Sequence, residues 1–259
     1  GVVCTASYEA RAFGIRSGMS LVEARRRCPD AIFIRGNFEH YRAASERVRM
    51  VLESVSPCIE FASIDEAYVD ITGSVHLFGG EDALAEYVKR GIRYDIGLPS
   101  TVGIASNKLV AKIATNQAKP DGYLRIPEGE EARFMRPLPI SRLPGMGPRT
   151  SEMMESLGIM TIGALADLPT EMLMTVFGTQ GYLLQRAARG ESSSEVVPVH
   201  VPKSISRETT FEEDLLDWGR IEQTLIYLAE RAGYALREQG MEARCISLKV
   251  RYADFETCT

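Results

Sequence analysis

Hydrophobic positions in the first 126 residues switch between the roughly 3.6-residue period of a helix and the alternation of a strand. Positions 2–5 read as a strand, 7–13 as a helix and 14–18 as a turn. A second helix is expected over 20–28, opened by Ser20 as N-cap with Glu23 three residues on, a capping-box pattern. Pro29 and Asp30 end it, and 31–34 reads as a short strand. Val48, Val51, Leu52 and Val55 mark the apolar side of a helix over 41–54, and Leu84, Tyr87, Val88 and Ile92 that of a helix over 82–94. β-branched and aromatic runs predict strands over 59–64, 67–71 and 100–105, and a helix follows over 108–115. Mixed in this order, the elements predict an α+β layer, helices covering one face of a mostly antiparallel sheet.

From Glu128 onward the pattern changes to short helices, over 161–168, 171–177 and 181–188, preceded by a Gly-x-Gly turn at Gly145 and Gly147 that opens a helix at Pro148 or Arg149. This predicts a small all-helical domain. Positions 191–201 are polar, lack periodicity and read as a linker. A strand over 203–211, a long helix over 215–239 and an alternating strand over 244–252 follow. Those three elements are too few to close a core, so the last domain is expected to be incomplete.

Composition changes this picture little: 45% hydrophobic and 25% charged residues are ordinary for a globular protein. No apolar run approaches the roughly 18–20 residues of a membrane span, and no secretory signal is seen. The five cysteines are scattered and never spaced C-x-x-C, which predicts a reducing, cytoplasmic setting and no zinc site. His40, His76 and His200 are isolated and read as surface or packing residues. The net charge of −5 argues against nucleic acid until its distribution is considered. Arg11, Arg16, Arg25, Arg26, Arg27 and Arg35 outnumber the acids of the first 38 residues, and Lys108, Lys112, Lys119 and Arg125 face Asp121 alone over 106–125.

Four groups of residues carry candidate chemistry. Asp65 and Glu66 lie between two apolar strands. Adjacent carboxylates there are either exposed acids of a hairpin turn or ligands for Mg²⁺, which selects carboxylate oxygens. Tyr8 and Arg11, three apart on one helical face behind Thr5, suit phosphate oxygens. Lys108 and Lys112 share a face, with Lys119 at the helix end, as point charges for phosphate. Gly145 and Gly147 expose backbone N–H groups at a helix start, a cradle for phosphate that reads no base; a plain turn between helices is the alternative.

The motif order resembles the Y-family translesion DNA polymerases, most closely their DNA polymerase IV branch. The match runs through TASYEARAFG from Thr5, SIDEAYVD from Ser63, SNK at Ser106 and AKP at Ala118, LPGMGPRT from Leu143, and KSISRETTF from Lys203. The resemblance covers nearly the whole chain. It implies fingers over 1–38, a palm over 39–126 with a mixed, mostly antiparallel sheet, and a helical thumb with a helix-hairpin-helix over 127–192. A linker over 193–202 and a partial α+β little finger over 203–259 would follow. It further implies template-directed primer extension past damaged bases, using two Mg²⁺ ions at Asp65 and Glu66. The nucleotide would be held by Cys4, Thr5, Tyr8, Arg11 and Lys119, and primer-template DNA by Ser63, Lys108, Lys112, Gly145, Gly147, Arg149, Lys203, Ser206 and Arg207. Small residues at Cys4, Ala6 and Ser63 would make a roomy pocket.

The resemblance also implies a sliding-clamp partner reached through a tail beyond Thr259, and no membrane. One departure stands out: the family's first strand, with a further metal-binding Asp and an aromatic gate against ribonucleotides, would lie before Gly1. The chain by itself is therefore expected to incorporate little or no nucleotide. A non-catalytic DNA-binding relic is the alternative, and a nucleotide cyclase a third, disfavoured by the 143–150 hairpin.

Overall fold

The computed structural model describes residues 1–199 and 201–259, so His200 lies outside the described residues. The chain forms two compact units, Gly1–Pro198 and Val199–Thr259.

The first unit opens with two short helices, α1 (Tyr8–Ala12) and α2 (Leu21–Arg27). Ser7 and Ser20 cap them, their side-chain oxygens accepting from the N–H groups of Ala10 and Val22 at 3.3 Å. Val3, Ile15 and Ala24 form the small core beneath them. The capping box is only half made: Glu23 turns away from Ser20 to pair with Arg26 and, at 2.8 Å, with Arg27. The strand expected over 2–5 reduces to a single bridge between Val2 and Ser20. The one expected over 31–34 is absent, and Ile32 and Ile34 stay 88% and 86% exposed. A strand satisfies its backbone only through a neighbour, and none reaches this segment among the described residues.

The second core joins α3 (Phe38–Glu53) to α4 (Glu81–Ile96) through Val51, Leu52, Leu84, Val88 and Ile92, with Ile59 from the adjoining hairpin. That hairpin pairs β1 (Ile59–Phe61) with β2 (Ala67–Val69) in antiparallel register, Glu60 opposite Tyr68. Then β3 (Val102–Ile104), α5 (Lys108–Ala118) and β4 (Tyr123–Arg125) make a parallel β–α–β unit. β4 has three residues and follows a turn, so its pattern is too short to predict. The expected mostly antiparallel sheet is, in this unit, one antiparallel pair and one parallel pair. Gly103 lets α5 lie directly on β3: a Cβ there would sit 2.6 Å from the Thr115 amide nitrogen. Gly103→Ala should therefore cost about 2 kcal/mol by overpacking, read as a lowered denaturant midpoint at unchanged slope.

The third core belongs to α5 together with the helical half of the unit. It holds α6 (Glu131–Met135), a 3₁₀ turn (Ile140–Arg142), α7 (Pro148–Ser156), α8 (Ile162–Ala166), α9 (Thr170–Phe177) and α10 (Thr179–Ala188). Val110, Ile113, Met135, Ile140, Leu143, Met154, Ile162 and Leu165 are its largest fully buried hydrophobic side chains. These helices lie within a few residues of their expected positions because each closes its hydrogen bonds locally.

In the second unit, α11 (Trp218–Glu238) is capped by Asp217, and β5 (Val250–Arg251) pairs with β6 (Thr257–Cys258). Ala235 is its one buried hydrophobic residue among those described. The strand expected over 203–211 is not formed, and of 244–252 only Val250 and Arg251 are in a ladder, with Ile246 92% exposed. Alternation marks a half-buried surface, but no buried cluster lies in this unit among the described residues to cover it. All five cysteines are free, and no helix of the described residues is long and apolar enough to cross a membrane.

Candidate active site

Asp65 and Glu66 sit in the connection between β1 and β2. The N–H groups of Ala62 and Ser63 both donate to the Glu66 carbonyl, at 3.0 and 3.2 Å, which folds the loop back on itself and breaks the strand alternation. Ser63 Oγ donates to Asp65 Oδ1 at 2.5 Å and accepts from the Asp65 N–H at 3.3 Å, fixing an exposed carboxylate. Glu66 is half-buried.

Strand alternation puts Glu66 and Tyr68 on one side of β2, and the register puts Glu60 opposite Tyr68. Against this row lies α5, whose Lys108 and Lys112 are one turn apart. Two residues along a strand and four along a helix both advance about 6–7 Å, so the rows match. Lys108 Nζ donates to Glu60 Oε2 at 2.6 Å, and Lys112 is ion-paired with Glu66. Lys108 Nζ also lies 5.4 Å from the centre of the Tyr68 ring. Glu60 Oε2 accepts as well from the Val197 N–H at 2.8 Å, which draws the end of the first unit onto the hairpin.

Tyr68 donates its hydroxyl to Glu66 Oε1 at 3.4 Å. Burial first, and then the Glu66 charge, push its phenol up from 10.0 to about 12. The fold therefore favours the protonated phenol. That contribution is present below pH 10 and is lost as pH rises towards 12. Ultraviolet titration should show Tyr68 among the tyrosines that ionise late, and Glu66→Gln should bring its step down while leaving that of Tyr123 unchanged.

Hard divalent cations take oxygen ligands, commonly six, with water completing what the protein does not supply. Asp65 and Glu66 are adjacent carboxylates of one loop, but no third His, Cys, Asp or Glu completes a cluster among the described residues. The pair thus fits as part of an oxygen shell, provided that Glu66 exchanges Lys112 for the metal.

The phosphate candidates are placed as follows. Arg11 stacks 4.8 Å over the Tyr8 ring and donates Nε–H to the Ala6 carbonyl at 3.0 Å, a fixed and exposed fork. Thr5 and Cys4 beside it are exposed. No hydrogen bond or ion pair joins this group to Asp65 or Glu66 among the described residues. Lys119 ends α5, with Nζ on Asn116 Oδ1 at 3.1 Å. Gly147 begins α7 and offers no side chain to cap it, so Arg149 and Thr150 are left with first-turn N–H groups to direct outward. Gly145 has φ 89°, which a side chain rarely adopts. Lys203, Ser206 and Arg207 belong to the second unit, in irregular backbone.

Glu60 and Tyr68 escaped the sequence reading as site residues. The signal existed: both fall in step with Glu66 on alternate positions of two strands, but only the register puts them together.

Residues 1–116 match the impB/mucB/samB family, residues 128–159 the HHH motif of that family and residues 202–259 its C-terminal domain. Among solved structures, "Y-family DNA polymerase chimera Dbh-Dpo4(243-245)-Dbh" superposes with a TM-score of 0.82 at 28% identity, covering 100% of this chain and 74% of that one. "Insertion ternary complex of Dbh DNA polymerase" gives 0.70 at 33% identity, covering 76% of this chain and 58% of that one. The chain belongs to the impB/mucB/samB family, the Y-family DNA polymerases. More particularly, it is similar to DNA polymerase IV of Dehalococcoides mccartyi, at 45% identity over 259 residues. It is also similar to DNA polymerase IV of Halorhodospira halophila, at 42% identity. All of this chain is matched in both cases, and it spans 66% and 73% of those proteins.

Proposed function

We propose that this chain is the catalytic and DNA-gripping portion of a DNA-directed DNA polymerase that copies damaged templates at low fidelity. The observation that carries the reading is the β1–β2 loop. It holds two adjacent carboxylates off the strand ladder, one exposed and one half-buried, beside a helix of lysines. Family membership supports it. In this reading 1–38 are the fingers, 39–126 the palm, 127–192 the thumb, 193–202 the linker and 203–259 the little finger.

Asp65 and Glu66 would hold Mg²⁺. When bound, a pair of such ions activates the primer 3′-hydroxyl and offsets charge on the departing pyrophosphate. Tyr8 and Arg11, with Thr5 and Lys119, would hold the triphosphate of the incoming nucleotide. The Arg11 fork, already braced by Tyr8 and Ala6, would need little ordering to do so. Small side chains at Cys4 and Ser63 would leave room for irregular bases. Lys112, released from Glu66 as the metal binds, would turn to phosphate. Gly145, Gly147 and Arg149 would grip the duplex through its backbone, as would Lys203, Ser206 and Arg207. A sliding clamp is a further partner in this reading, and the bacterial cytoplasm its setting.

The test is a chimera in which this chain replaces the matching 259 residues of the Dehalococcoides mccartyi relative. The chimera should extend a primer with Mg²⁺ and four deoxynucleotides, losing the activity with either carboxylate. A chimera that binds primer-template tightly yet never extends it would leave only the DNA-binding relic.

A further inference from the structure

Lys119 leaves α5 into the turn Pro120-Asp121-Gly122 that leads to β4. That turn is unusually well held, and from a distant element. Asp121 has φ 46°, a left-handed conformation that costs a non-glycine residue about 1 kcal/mol. Lys89 on α4 reaches it and places its ammonium among four acceptors. These are the Asp121 carbonyl at 2.8 Å, Asp121 Oδ1 at 2.9 Å, the Gly122 carbonyl at 3.3 Å and the Ser100 carbonyl. Arg93, one helical turn along on the same side of α4, pairs with the other Asp121 oxygen. The Ser100 N–H donates to Asp121 Oδ1 at 3.3 Å, which ties in the entry to β3.

An adjoining face of α4 is locked in the second core by Leu84, Val88 and Ile92. Lys89 is thus a strut from a rigid helix to the segment that presents Lys119. Its side chain is 23% exposed, and its donors are turned inward to the turn and the Ser100 carbonyl. Gly122 lies so close to the end of α5 that an added Cβ would strike the Ala118 carbonyl.

We propose that Lys89 is the positioning residue for Lys119: it holds the turn in the one conformation from which that lysine reaches the triphosphate of an incoming nucleotide. The inference rests on the triphosphate role proposed above for Lys119. Groups that orient metal-ligating side chains matter by about 10–100-fold in affinity, and an effect at the lower end of that range is expected for a lysine oriented toward phosphate.

The test is a double-mutant cycle on this chain, titrated with a fluorescent deoxyadenosine triphosphate in Mg²⁺ buffer. Lys119→Ala should weaken binding. Lys89→Met should weaken it roughly tenfold in the parent and less than about twofold in the Lys119→Ala background, because its effect passes through Lys119. Lys89→Arg, which keeps a charge for Asp121, should recover most of the loss. If Lys89→Met unfolds the chain by circular dichroism, Asp121→Asn replaces it. This substitution tolerates the left-handed backbone and removes the carboxylate that Lys89 holds. Equal losses in both backgrounds, or none in either, overturn the positioning role. A Lys119→Ala variant that binds as well as the parent instead removes the reading on which the role depends.

Discussion

Replacing Asp65 by Asn in the Dehalococcoides chimera should lower single-nucleotide insertion by at least about a thousandfold, some 4 kcal/mol of transition-state stabilisation. Primer-template affinity should stay within about threefold, because phosphate contacts elsewhere set it. The substitution keeps size and leaves an acceptor for Ser63, so the loop should persist. Rapid-quench kinetics separates the step from product release. Glu66→Gln should be as damaging, with a second consequence of its own: Lys112 loses its carboxylate. Its freed charge should steepen the salt dependence of DNA binding, whereas Asp65→Asn should not. An Asp65→Asn chimera that inserts nucleotides at the parental rate would remove that carboxylate from the chemistry.

Lys108→Met should cost about 3 kcal/mol of folding stability, because it takes the cation from a carboxylate held in a poorly solvated place. The two side chains are only 17% and 11% exposed, at Lys108 and Glu60. Exposed pairs such as Arg133–Glu130, by contrast, should hardly matter. Urea denaturation of the chain and its Lys108→Met variant measures the difference. The double change Lys108→Met with Glu60→Gln should regain much of it, since position 60 then carries no charge for Lys108 to offset. This outcome separates a structural lysine from a DNA-binding one. If stability were unchanged and the salt slope of DNA binding fell by about one, Lys108 would be a phosphate contact. The distinction bears on Val197 too, whose N–H rests on the same carboxylate.

The sequence by itself determined the family, through a run of short motifs in order, and it singled out the pair Asp65–Glu66 as candidate ligands. It determined the helices as well: α2 starts after Ser20, and α3, α4, α5 and α11 lie near where apolar spacing puts them. A helix closes its backbone hydrogen bonds within a few residues, so local pattern suffices. The Gly145–Gly147 turn was legible for the same reason, since positive φ and a Pro148 start are properties of adjacent residues.

Strands depend on partners, and there the tertiary structure decided. The strands expected over 31–34, 203–211 and most of 244–252 stay unpaired among the described residues, while the unremarkable Tyr123-Leu124-Arg125 became β4 because Val102–Ile104 lies alongside it. Charge was decided in the same way. Lys108 and Lys112 read as free cations for phosphate, yet they meet Glu60 and Glu66 across 48 and 46 residues of sequence. Lys89 showed no sign of reaching Asp121, 32 residues away. An ion pair is a property of two surfaces brought together by packed cores, and no local pattern encodes which carboxylate a lysine will face.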